Sequence, residues 1–198
     1  MKLFNMEVRC FLLGLVFLCT CVVLQAQQNE HEQEIDVRSR SGYFVGASLG
    51  MQMSGIKDED FIAKNYSPLI TISAGKWLNS LLALKLGYRG NYFNTISDDK
   101  KHFYKYLSGE AIFNLNALVN PEIKQENWKI CFHAGTGYFY NHDYNRSNIC
   151  AHMGLSGDYK LTERLTAGIN VSAIMGWDIY QGDEDILPGT SIGINYAF

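Results

Sequence analysis

The chain is poor in charge and in proline. Charged residues make up 19% of its 198 positions, and only 3 positions are proline. Disordered chains carry far more charge, and collagen-like chains far more proline. The net charge is −3, so there is no basic footprint for nucleic acid. After Ser41 no apolar run approaches the roughly 20 residues a membrane helix needs. A sustained 3.6-residue period is missing from the same stretch, which argues against amphipathic helices. Cysteine is also scarce there: of five in the chain, only Cys131 and Cys150 lie beyond residue 21. What the chain does have is 47% hydrophobic residues, 18 Gly, 12 Tyr and 11 Phe. That composition has room for one domain with a sizeable core.

Residues 1–26 read as a secretory signal peptide. Lys2 and Arg9 give a positive start, Phe11 to Leu24 an apolar stretch, and Leu24-Gln25-Ala26 an acceptable cleavage site. The apolar stretch is short for a bilayer-spanning anchor. Lipidation at Cys19 or Cys21 lacks a good lipobox, since Leu18 and Thr20 stand directly before them. Residues 27–41 are polar and charged and read as a flexible periplasmic leader. The folded part is then 42–198.

Along 42–198 the dominant period is two. In 43–51 the odd positions are Tyr43, Val45, Ala47, Leu49 and Met51, with Phe44, Gly46, Ser48 and Gly50 between them. In 82–92 the even positions are Leu82, Leu84, Leu86, Tyr88, Gly90 and Tyr92, alternating with Ala83, Lys85, Gly87, Arg89 and Asn91. The same pattern covers 165–177 and 190–198, and further strands are expected near 68–77, 103–116, 128–140 and 148–160. That makes eight strands. One face is apolar and the other small or polar with scattered charges. A soluble sandwich or lipocalin-type barrel turns its large apolar residues inward. A membrane barrel turns them toward lipid and keeps a small, polar interior, and closure satisfies every backbone group. The expected class is all-β: an eight-stranded antiparallel up-and-down transmembrane β-barrel.

Connections and girdles are expected to follow. Outer loops fall near 52–67, 94–102, 141–147 and 178–188, and inner turns near 78–81, 117–127 and 161–164. The outer loops hold most of the charge, as in Lys57-Asp58-Glu59-Asp60, Asp98-Asp99-Lys100-Lys101 and Asp183-Glu184-Asp185. Pro68, Pro121 and Pro188 should lie at strand ends or in turns, where no ladder donor is lost. Tyr43, Trp77, Trp128, Tyr159 and Phe198 should mark the inner interface, and Tyr66, Tyr92, Phe103, Tyr140 and Trp177 the outer one.

Alternation at the chain's end, Ile192, Ile194, Tyr196 and Phe198, looks like the C-terminal assembly signal of bacterial outer-membrane barrels. Elsewhere Ala74-Gly75-Lys76-Trp77-Leu78 precedes a turn and Leu86-Gly87-Tyr88-Arg89-Gly90 follows one. Gly109-Glu110-Ala111-Ile112-Phe113-Asn114-Leu115, Gly135-Thr136-Gly137-Tyr138 and Ala151-His152-Met153-Gly154-Leu155 complete the set. With these motifs the region 42–198 resembles the small OmpA-like outer-membrane barrels. The resemblance implies architecture rather than chemistry. A peptidoglycan-binding domain after Phe198 is not part of the expectation, so cell-wall anchoring is not implied.

Hairpin geometry places interior charges opposite one another. A loop centred near 97–98 opposes Lys85 to Glu110, with Arg89 one step above and close enough to share that carboxylate. A loop centred near 143 opposes Lys129 to Asp158. Such pairs suit a narrow, poorly hydrated interior. They read as a plug, or alternatively as a gate. Cys131, His133, Cys150 and His152 form two Cys-x-His pairs on neighbouring strands, with His133 and His152 near opposites. Thiolate and imidazole are metal ligands, but this spacing spreads them roughly 6–7 Å apart along one face. They make a weak metal candidate beside the plainer reading of lumen filling. A Cys131–Cys150 disulfide misses the register by several residues.

No catalytic motif stands in the chain, so enzyme activity and cofactors are not expected. His102 with Ser97, or His142 with Asp143 and Ser147, are the only groupings near the outer end that suggest a lipid-modifying enzyme. The expected role is structural or surface-interactive, in the outer membrane of a Gram-negative bacterium after signal-peptide cleavage. Expected partners are outer-membrane lipid and lipopolysaccharide, the barrel-assembly machinery, and an extracellular ligand at the outer loops. The alternatives are a narrow gated channel, a membrane-embedded lipid enzyme, an adhesin and a secreted soluble barrel.

Overall fold

The computed structural model describes residues 42–53, 66–94, 101–119, 127–177 and 184–198. The signal peptide, the leader, Ser97, Pro121, Asp183 and the charged run at 57–60 lie outside the described residues. The compact unit Gly42–Phe198 is a closed barrel of eight antiparallel strands in sequence order. The strands are β1 Tyr43–Met53, β2 Tyr66–Trp77, β3 Leu82–Asn94, β4 Lys101–Asn114, β5 Trp128–Asn141, β6 Arg146–Lys160, β7 Leu165–Trp177 and β8 Glu184–Ala197. β1 pairs with β8 from Phe44↔Ala197 to Gln52↔Gly189, which closes the sheet.

Burial alternates along every strand with the sequence pattern. Outward residues such as Leu49, Leu86 and Ile149 are 68%, 67% and 75% exposed. Inward residues are small or polar: Gly46, Ser48, Gly87, Ser108, Gly135, Ser172 and Ser191 lie on the other parity. An apolar exterior around a polar interior inverts a water-soluble fold.

Local chemistry explains the ends. Two tight turns follow one design, Leu78-Asn79-Ser80-Leu81-Leu82 and Leu161-Thr162-Glu163-Arg164-Leu165. Leu78 N–H donates to Leu82 O and Leu161 N–H to Leu165 O, both at 2.9 Å. Asn79 Oδ1 accepts from Leu81 and Leu82 N–H, and Thr162 Oγ1 from Arg164 and Leu165 N–H. Such side-chain acceptors are what Asn and Thr bring to turns. The third connection at this end, expected over 117–127 as a departure from the short-turn pattern, begins with a short helix, α1 Leu115–Val119. Asn116 ties it back by accepting from Ile130 N–H at 2.8 Å and donating to Trp128 O at 3.1 Å. At the opposite end, Asn145 takes φ 50 in the turn between β5 and β6.

Three expectations about strand ends are corrected. β8 begins at Glu184, so Pro188 lies within a strand, as does Pro68 in β2. Both are tolerated because β2 has no β3 partner before Leu69 and β8 no β1 partner before Gly189. A missing donor on such a one-sided stretch breaks no ladder. Trp77 has the inward parity of Gly75 and packs inside, 6.5 Å from Phe44, so it is not an interfacial anchor. Tyr43, Trp128, Tyr159 and Phe198 at the same end, and Tyr66 and Phe103 at the other, do face outward.

Candidate functional site

The lumen is layered. Toward the end that carries the β5–β6 turn, Phe93, Tyr104, Tyr106, Phe139, Cys150, Ile174 and Leu187 form an apolar cluster. Toward the end with the tight turns, Phe44, Ala83, Ile112 and Cys131 form a second, with Trp77 packed against it. Consecutive strands β3 to β8 supply the first cluster, and β1, β3, β4 and β5 the second, from inward positions toward the two ends of the barrel. In between, the inward positions are polar, and their centre is Glu110.

Glu110 is buried, and four side chains converge on it. Lys85 Nζ lies 2.8 Å from its Oε2, across the β3–β4 pairing Lys85↔Glu110. Ser108 Oγ donates to Oε1 at 2.7 Å. His133 Nδ1 lies 2.9 Å from Oε2, and His152 Nδ1 3.0 Å from Oε1. The far nitrogen of His133, Nε2, sits 3.2 Å from Asn170 Oδ1. The charge and the hydrogen bonds together meet the burial requirement of a carboxylate.

Arg89 is placed differently from expectation. It donates to Gln52 Oε1 at 3.2 Å and Ser172 Oγ at 3.3 Å, across the barrel rather than down to Glu110. Tyr104 O–H donates to the same Gln52 oxygen at 2.6 Å, and Gln52 Nε2 donates to Tyr92 O at 3.0 Å. Lys129 does oppose Asp158 in register. Its ammonium instead stands over the Trp77 ring, 4.4 Å from the centroid, while Asp158 accepts from Ser156 Oγ at 3.3 Å. The inward Trp77 offers a π face where a plain hairpin count foresees only a carboxylate.

The two Cys-x-His pairs separate. His133 opposes Gly154 and Gly135 opposes His152, so the histidines are offset by one pair but their rings are 5.4 Å apart. Cys131 and Cys150 are free thiols that fall into opposite apolar clusters. The set with metal-ligand geometry among the described residues is Glu110, His133 and His152, whose donor atoms lie within 4.8 Å of one another. Glu110 was legible as a lysine partner but not as the companion of two histidines, because His152 reaches it from two strands away.

At the loop end, His102 is buried between the Phe93 and Tyr144 rings, with centroids 5.5 and 4.8 Å away. Its Nδ1 lies 3.6 Å from Asp143 Oδ2, which also accepts from Phe103 N–H at 2.8 Å. This pairs His102 with Asp143, whereas the sequence coupled Asp143 to His142. Ile192, Ile194, Tyr196 and Phe198 all face outward on β8 and beyond its end.

Neither a family model nor a curated protein matches the sequence. Among solved structures, the chain is similar to Neisserial surface protein A, at TM-score 0.54 and 15% identity, covering 81% of this chain and 100% of that one. It is likewise similar to the N-terminal β-barrel domain of Pseudomonas aeruginosa OprF, at TM-score 0.52 and 15% identity, covering 80% and 100%. At such identity the likeness is one of fold, and the fold is that of the small eight-stranded outer-membrane barrels.

Proposed function

We propose that the chain is an integral outer-membrane barrel protein with a structural or surface-interaction role, its lumen closed by side chains and its outer loops turned to the medium. The inverted pattern carries this reading: large apolar residues cover the outside of a closed sheet. Only lipid is a good solvent for such a face. Closure of the lumen is supported by the two apolar clusters with the Glu110 network between them. The outward Ile192, Ile194, Tyr196 and Phe198 would serve as the assembly signal read by the insertion machinery, and lipopolysaccharide and phospholipid as the surrounding partners.

The test is heat-modifiability. The full-length chain is expressed, outer membranes are isolated, and boiled and unboiled samples are run on a detergent gel. A membrane band that migrates faster unboiled is expected. One unchanging band in the soluble fraction would overturn the reading. A narrow gated channel is the second reading, favoured by the Lys85–Glu110 ion pair in the polar layer. Single-channel recording separates the two: a closed scaffold is silent, and a channel conducts in a way that Lys85→Met or Glu110→Gln alters.

A further inference from the structure

We infer that the lumen holds a site for one divalent transition-metal ion of the zinc class, ligated by Glu110, His133 and His152. Two imidazoles and a carboxylate are a zinc-type donor set. Metal bonds of about 2.0–2.1 Å put tetrahedral donor atoms roughly 3.4 Å apart. The two contacts of 2.9 and 3.0 Å and the 4.8 Å outer bound bracket that spacing. Small side-chain rotations therefore suffice to admit the ion.

The hydrogen bonds point the same way. Asn170 Oδ1 stands 3.2 Å from His133 Nε2, where it can accept the ring proton and leave Nδ1 as the ligating nitrogen. With the proton on Nε2, the Nδ1 lone pair is directed at a carboxylate oxygen 2.9 Å away. A metal ion held between the two would use both lone pairs. An outer partner of this kind is also what orients metal-binding histidines. His152 adds a second observation. It is buried, its Nδ1 faces the other Glu110 oxygen off the hydrogen-bonding direction, and neither ring nitrogen has a hydrogen-bond partner. Buried unsatisfied nitrogens are costly, and coordination would satisfy one.

Lys85 is the competitor. Its ammonium and a metal ion are alternative counter-ions for one carboxylate. The Lys85 side chain is 13% exposed where that of Glu110 is 2% exposed, so the lysine is the member with a way out. Metal entry would displace its ammonium from Oε2 and leave His133 and His152 in place. Cys131 and Cys150 take no part, since each lies in an apolar cluster.

Metal content of untagged protein tests this. The full chain is purified from membranes in detergent, stripped with chelator, and refolded from urea with excess Zn²⁺ to bypass any barrier to entry. Folded protein, identified by fast migration unboiled, should carry one zinc per chain. Co²⁺ in its place should give the visible bands of a low-coordinate site with nitrogen and oxygen ligands. The His133→Asn, His152→Asn double variant should lose the metal. Asn170→Ala should bind roughly 10–100-fold more weakly, and Lys85→Met more tightly. His142→Asn, at the loop end, should bind like the parent. Folded parent without zinc would overturn the inference. So would zinc retained by the double histidine variant or lost with His142→Asn, since the ion would then sit elsewhere. Should the double variant not fold, the Co²⁺ spectrum of the parent decides: octahedral, oxygen-only bands overturn the site.

Discussion

Each strand of the barrel has two faces that live by different rules. Outside, Leu49, Leu86, Leu107, Ile149 and Ile192 differ in shape, yet all do one job. Their neighbour is a solvent, so one apolar side chain can replace another. Inside, Lys85, Ser108, Glu110, His133 and His152 each meet a particular atom at 2.7–3.0 Å. A substitution at any of them changes what the buried Glu110 carboxylate faces. The outer face decides where the barrel is stable, and the inner face decides which register it adopts. Hydrophobic burial within the protein, the usual source of both, is divided here between lipid and two small lumen clusters.

The contrast breaks most severely at Glu110. Glu110→Ala leaves the Lys85 ammonium without its countercharge and removes the oxygens that Ser108, His133 and His152 face. A loss of about 3–5 kcal/mol is expected, read from the urea midpoint of the folded barrel in detergent. A midpoint like the parent's would mean that the lumen charges are not structural. On the lipid face, Leu107→Arg puts a cation near the middle of β4 and should cost about 2–4 kcal/mol in a bilayer. Phe103→Arg, near the loop end of the same face, should cost only about 0–1 kcal/mol. Equal costs at the two depths would show that this face does not sense a membrane.

Glycine sharpens the comparison within one strand. A methyl group on Gly154 would meet Ser172 Cβ at 2.6 Å and the His133 ring at 2.7 Å. A methyl on Gly157, which faces outward on the same strand, meets nothing within 4 Å. Gly154→Ala should destabilise by roughly 1–3 kcal/mol as an overpacked site, while Gly157→Ala should stay within about 0.5 kcal/mol of the parent. The smallest effect is expected at Lys129. Removing its charge above Trp77 with Lys129→Met should cost about 0.5–1 kcal/mol, together with a small change in Trp fluorescence.

The sequence displays the faces more openly than the contacts. Parity alone assigns Leu86 outward and Lys85 inward, because successive side chains on a regular strand point to opposite faces. Hairpin counting also opposes Lys85 to Glu110, since a short connection sets the register of the strands it joins. It says nothing of strands that are not neighbours. Arg89 meets Ser172, which is 83 residues away, and Glu110 meets His152 from two strands over. Those meetings depend on barrel diameter and on the stagger accumulated around it, neither of which a hairpin encodes. Trp77 shows a different limit. Its place at a strand end suggested an interface anchor, but its parity with Gly75 sends it inward. Position along a strand and side of the strand are separate readings, and for this residue the second prevails.

The pairing of β1 with β8 has a consequence for how the barrel comes into being. Phe44 and Ala197 are neighbours in space yet stand at the two extremes of the folded unit. Until they meet, a partly built sheet has two free borders, each a row of unsatisfied amides and carbonyls. Water tolerates those borders, and hydrocarbon does not. The strands therefore cannot be handed to the membrane one at a time. Insertion and closure must be a single event, or the borders must be held by another protein until the last strand docks on the first.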